Sequence, residues 1–225
     1  GFDFVLCDKT PTVTDKCDAL ENGQASGTTL VFEMKSDISQ ALKEDKILRL
    51  CLCLRNLKRI NIQGKKVQIF DTDTERTVSI GDKTYHFEKF TYDFEITDEE
   101  AIEERSINQR VVSSEQSIYC YIPKDYKTER YSLYVGLPTV VECNVPLIID
   151  APFELTTSRD NVIECCWNEY VRDAIYEAIF ELMEFKKDDA RIDVLRYVKF
   201  TSQNGTFSYG TFSEPYLNRF DWTSN

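Results

Sequence analysis

The chain predicts an α/β or α+β module in which a mixed sheet is packed by helices, and three observations carry that expectation. Short β-rich segments run in series from RINIQG to VPLIIDAPFEL, Gly64 and Gly81 punctuate the first of them as turns, and the amphipathic stretch WNEYVRDAIYEAIFELMEF follows the strands. A sheet with an apolar face needs a second layer, and a helix with one apolar stripe supplies it.

The segments follow in order. FDFVLCD (2–8) and TTLVFEM (28–34) are rich in β-formers and predict two strands around KTPTVTDKCDALENGQASG, a polar stretch expected to be a long loop. SDISQALKEDKILRLCLCLRNL (36–57) fits a helix broken near Glu44, although the alternation of Leu48, Leu50, Leu52 and Leu54 also permits a strand. RINIQG, KVQIFD, TVSIG and TYHFEKFTYDFEI predict strands; in the last, Tyr85, Phe87, Lys89 and Thr91 alternate with His86, Glu88, Phe90 and Tyr92. TDEEAIEERSINQR reads as a short helix or a solvated connector, and SIYCYIP, RYSLYVGLP and VPLIIDAPFEL return to strand character. In the long helix, Trp167, Tyr170, Val171, Ala174, Ile175, Ala178, Ile179 and Leu182 share one stripe, with Glu169, Asp173, Glu177 and Glu181 largely opposite. A second helix is expected over DDARIDVLRYVKF, and residues 201–225 form a turn-rich tail, either a hairpin or a docking segment.

Composition limits the functions available. A chain of 225 residues with 42% hydrophobic and 29% charged side chains can bury a real core, as one large domain or two small ones. Its net charge of -12 repels phosphate backbones and anionic membranes, and no basic patch offsets it, so neither nucleic acid nor a membrane is expected as a partner. No apolar run approaches the ~20 residues that span a bilayer, and the first residues do not resemble a signal peptide; a soluble, cytoplasmic chain is expected. Of the 8 cysteines, Cys51, Cys53, Cys120 and Cys143 sit in apolar runs, which favours reduced core thiols over disulfides. The spacing of Cys51 and Cys53, and the adjacency of Cys165 and Cys166, do not fit a zinc site, so no metal ligands are assigned. His86, the single histidine, has no nucleophile near it in sequence and is read as a structural or surface residue.

One stretch asks for a special explanation. LTTSRDN (155–161) follows an apolar run, and Thr157 and Asp160 are spaced like a capping box, with Ser158 an alternative cap. That would put Arg159 in a first helical turn, where the helix dipole disfavours a cation. Either Arg159 is a surface arginine paired with Asp160 or Glu154, or it serves something beyond the helix.

Two separated segments resemble one family. GTTLVFEMKSDISQAL (27–42) resembles the closing strand of the GHKL-type ATP-binding domain of the ninety-kilodalton heat-shock chaperones and sacsin-like proteins, with Gly27 and Thr28 matching its Gly-Thr pair. FELTTSRDNV resembles those chaperones' middle-domain pattern of leucine, a small polar pair and Ser-Arg-Glu; Ser158, Arg159 and Asp160 match it, with aspartate for glutamate. LCLRNLKRI, YVGLPT and the pair Trp167-Asn168 are similar to elements of the sacsin-like branch in the same order.

The resemblance implies a division into the last strands of an ATP-binding domain (1–35), a middle or transducer-like α/β domain (36–200) and the tail (201–225). It implies that Arg159 reaches the terminal phosphate of ATP held with Mg in a preceding domain, with Ser158 beside it and Gly27 and Thr28 near the nucleotide. The family's catalytic glutamate, metal-binding asparagine, Asp-x-Gly-x-Gly turn and glycine-rich lid are not in this sequence, which has 8 glycines and no G-x-G cluster. The expectation is therefore a fragment of such an ATPase, without hydrolysis of its own. It would work with the upstream ATP-binding domain and with a protein client or homodimer partner. The competing expectation is a non-enzymatic interaction module whose ATPase likeness is ancestral.

Overall fold

The computed structural model describes residues 3–7, 10–15, 43–62, 65–106, 112–125, 131–143, 146–159, 161–189 and 200–202. The chain divides into two compact units, Gly1–Lys43 and Glu44–Asn225. In the first, β1 (Asp3–Cys7) pairs antiparallel with β2 (Thr10–Asp15). The strand β2 lies within the stretch expected to be loop; Thr12, Val13 and Thr14 are β-branched, and that preference outweighs Pro11. The expected strand over 28–34, with Gly27 and Thr28, lies outside the described residues.

The second unit is a mixed sheet with helices on both faces, as the sequence predicts. Helix α1 (Glu44–Cys51) leads into β3 (Arg59–Ile62), β4 (Lys65–Asp71), β5 (Glu75–Ile80) and β6 (Lys83–Glu95), then α2 (Glu99–Ser106) and β7 (Glu115–Pro123). There follow β8 (Tyr131–Val135), β9 (Leu137–Cys143), β10 (Ile148–Asp150), the long helix α3 (Cys166–Phe185) and β11 (Phe200–Ser202). The sheet order is β11-β9-β8-β10-β7-β6-β5-β4-β3. Strands β3 to β7 form an antiparallel meander, and the β8–β9 hairpin is set one place away. The chain then returns to insert β10 antiparallel to β7 and parallel to β8.

Alternation assigns each strand residue to a face. Ile47, Leu48 and Cys51 of α1, with Leu52 and Cys53, bury against Val67, Ile69, Val78, Ile80, Phe87, Tyr121, Tyr134 and Ile148. On the opposite face the α3 stripe packs on Ile118, Cys120, Ile122, Leu133, Val141, Cys143 and Ile149. Tyr170, expected on that stripe, is instead 40% exposed and donates its hydroxyl to Asp98. The tight turns after β5 and β8 put Gly81 and Gly136 at φ 59 and 72, where a side chain would be strained. Within TDEEAIEERSINQR, Glu99–Ser106 are helix and the last four residues lie outside the described set; Asp98 caps α2 by accepting the Ala101 amide at 2.9 Å, and this bond leads the causes that lower its pKa.

Two other segments depart from expectation. RYSLYVGLP is divided at Gly136, and its last two residues begin β9 (Leu137–Cys143), a strand that the sequence reading does not name. Phe200, expected to end a second helix, is in β11 with Thr201 and Ser202, the first residues of the expected tail. Residues 190–199 and 203–225 lie outside the described set. Cys51, Cys53, Cys120 and Cys143 are buried thiols not joined in disulfides, as expected.

Candidate functional site

Arg159 does not begin a helix. Leu155 and Val162 form an antiparallel bridge, so residues 156–161 are the loop of a small hairpin. The Thr156 amide donates to the Asn161 carbonyl at 2.8 Å, and the Arg159 amide donates to the Thr156 carbonyl at 2.8 Å. Side chains complete the loop: Thr156 Oγ1 lies 3.1 Å from Ser158 Oγ, and Asn161 Oδ1 accepts the Val162 amide at 3.0 Å. These local bonds offer the backbone an alternative to helix, so the cap-like spacing of Thr157 and Asp160 marks a turn instead. Helix α3 starts later, after Cys165, with no side-chain cap of its own. Glu104 of α2 reaches across to accept the Trp167 amide at 3.3 Å, a partner distant in sequence that no capping pattern announces.

At the hairpin tip Thr157, Ser158 and Arg159 are exposed, and Arg159 holds φ 59, a left-handed conformation uncommon for a residue with a side chain. Among the described residues no carboxylate pairs with its guanidinium; Asp160 lies outside them. Glu154, the other partner considered for it, is engaged by Arg105 at 3.4 Å. The hairpin therefore projects a fixed positive charge into solvent, a group suited to a carboxylate or phosphate.

The hairpin's base is held from α3 and α2. Asn168, 4% exposed on α3, accepts the Glu154 amide at 2.7 Å and donates to the Glu154 and Ile163 carbonyls, both at 2.9 Å. The neighbouring Pro152 carbonyl accepts from Trp167 Nε1 at 2.8 Å and from Arg105 at 2.6 Å, while the Arg105 guanidinium lies 4.0 Å over the Trp167 ring. Two segments singled out by sequence, FELTTSRDNV and Trp167-Asn168, are thus one structural unit.

A second polar cluster, on the α1 face, went unnoticed in the sequence. Arg76 is fully buried; it donates to the Leu54 carbonyl at 2.9 Å and lies 3.1 Å from Asp71, which also pairs with Lys89. Asp150, buried at the end of β10, accepts the Gly136 amide at 2.7 Å. Its other oxygen is 3.3 Å from Arg55 Nε, close enough for charge attraction without the alignment of a hydrogen bond. Tyr121 Oη, Arg76 Nε and Asp150 Oδ2 have no hydrogen-bond partner among the described residues. The signal was present in the strand alternation, which places Arg76 with Val78 and Ile80, and Asp150 with Ile148, on a core-facing side. The groups link the turn after α1 to five strands, from Asp71 on β4, Arg76 on β5, Lys89 on β6 and Tyr121 on β7 to Asp150 on β10.

Burial raises the Asp150 pKa above the ordinary carboxylate value, with Arg55 and the Gly136 amide opposing. A raised carboxylate makes the native state bind protons more tightly than the unfolded chain. Stability therefore increases as pH falls through the raised value and decreases again as pH rises through it. Urea midpoints measured for the native sequence and Asp150→Asn in steps from about pH 7 down to about pH 4 should show the native sequence gaining on the variant as pH falls toward the ordinary carboxylate range; a constant gap throughout would contradict the assignment.

His86 is exposed on β6, with its ring beside Thr77 Oγ1 at 3.5 Å and its amide donating to Asp125, a surface role consistent with the sequence reading. Among the described residues no three His, Cys, Asp or Glu side chains gather as metal ligands, and no helix is long and apolar enough to cross a membrane. Comparison with protein-family models, with curated proteins and with solved structures finds no match to this chain.

Proposed function

We propose that this chain is the transducing part of a GHKL-type ATPase of the sacsin-like or heat-shock-chaperone-like class, in which Arg159 senses the terminal phosphate of ATP. The nucleotide and its Mg would be held by a preceding ATP-binding domain, to which Gly27 and Thr28 belong. The observation that carries the reading is the exposed hairpin tip, where Arg159 stands on a clamped base in a left-handed conformation. A guanidinium with a fixed root and a free end can meet charge on a transferring phosphoryl group with little reorganisation. Ser158, next to it, can add a hydroxyl donor to the same anion. On this reading hydrolysis belongs to the intact protein, since the family's catalytic-glutamate helix and glycine-rich lid are not in this sequence.

In the parent protein, Arg159→Ala should lower ATP turnover about 10- to 100-fold while leaving ATP binding nearly intact, because the arginine acts on charge that develops in the transition state. Turnover and nucleotide-driven closure both equal to those of the native protein would remove the proposal.

A further inference from the structure

Resting on that reading of Arg159, we infer that Asn168 is a positioning residue: from the first turn of α3 it sets the direction in which the Arg159 hairpin projects. A carboxamide is the one neutral side chain that can accept from an amide and donate twice to carbonyls in the manner of a neighbouring strand. Asn168 does this to both legs of the hairpin, taking the amide and carbonyl of Glu154 on the incoming leg and the carbonyl of Ile163 on the outgoing one. Ile163 also donates its own amide to the Glu154 carbonyl at 3.3 Å, so the base is cross-tied where the carboxamide grips it. Beyond this point the loop is held by its own bonds, and the tip from Thr157 to Arg159 is exposed. The heading of the guanidinium is therefore fixed where the hairpin meets α3. A shift of α3 against the sheet would swing Arg159 as a lever, and α2 shares the same grip through Arg105.

A merely stabilising asparagine would affect folding alone, whereas a positioning one affects turnover through Arg159. In the full-length parent protein, Asn168→Ala and the milder Asn168→Ser should speed hydrogen exchange at the amides of Glu154, Thr156 and Ile163, while amides of β7 keep their protection and report an intact fold. ATP turnover should fall about tenfold in kcat with little change in KM, because the misplaced charge is needed in the transition state and not in the ground state. Combined with Arg159→Ala, either variant should cause no further loss, since both remove one interaction. Unchanged exchange at the hairpin would overturn the positioning role whatever turnover does. Faster exchange with native turnover, in a protein where Arg159→Ala is impaired, would also overturn it and leave the phosphate reading standing. Faster exchange with neither residue affecting turnover would defeat the phosphate reading itself, and the positioning role with it.

Discussion

Replacing Trp167 with alanine should destabilise the protein by about 3–5 kcal/mol, the range for deleting a fully buried large aromatic side chain. Trp167 is 0% exposed, and its indole fills the junction of α2, α3 and the segment leaving β10. Alanine would open a cavity there and strip the Arg105 guanidinium of the ring it covers at 4.0 Å. That guanidinium would remain bonded to Pro152 and paired with Glu154, so the loss is one of volume and stacking more than of stranded charge. Trp167→Phe separates the parts: it keeps most of the packing and gives up the indole N–H bond to Pro152, at a cost nearer 1 kcal/mol. Urea unfolding of the three proteins measures both steps, and a loss under about 1 kcal/mol for alanine would mean that the junction recloses or was never tightly packed.

Arg76→Ala should cost about 3 kcal/mol, and Arg76→Met clearly less, about 1–2 kcal/mol. Burying a guanidinium is costly in itself, and here two of its nitrogens, Nε and Nη1, lack a hydrogen bond. Methionine removes that burden and fills much of the space between the turn after α1 and Tyr121, whereas alanine leaves the space open. Neither variant strands Asp71, which is 29% exposed and retains Lys89 at 3.2 Å. Both deprive the Leu54 carbonyl of its donor, so methionine should still fall short of the native sequence. Equal losses in chemical denaturation would assign the whole effect to charge and none to volume.

The legible parts of this structure are those where one residue's neighbours in sequence decide its place. The stripe of α3 follows from the period of Trp167, Val171, Ala174, Ile175, Ala178, Ile179 and Leu182, all of them buried. The strands β4 to β7 follow from their alternation, and the buried thiols from their apolar runs. Misreadings arise where distant groups intervene. Glu104 serves the amide end of α3, so the helix starts without a capping residue and the true turn at Thr156–Asn161 was mistaken for its beginning. The polar composition of the stretch after β1 hides β2, whose Thr12, Val13 and Thr14 are β-branched. For the candidate site, the special character of Arg159 was visible as a cation in an odd place. The clamp was not, because Asn168 and Arg105 act on a segment that only the tertiary fold brings to them. Arg76 and Asp150 could have been found, since each breaks an otherwise apolar face.

The insertion of β10 constrains how the molecule can form. Among the described residues, Ile148, Ile149 and Asp150 are the sole strand bridge between the β3–β7 meander and the β8–β9–β11 group. The meander can zip up one hairpin after another, and the β8–β9 pair can close alone, but neither half can find the other until a later stretch of chain slips between them. Such non-local closure must lose chain entropy before it gains contacts, a cost that neither half meets when it forms alone. Three residues in the middle of the sheet thereby govern the assembly of two halves that contain most of its strands.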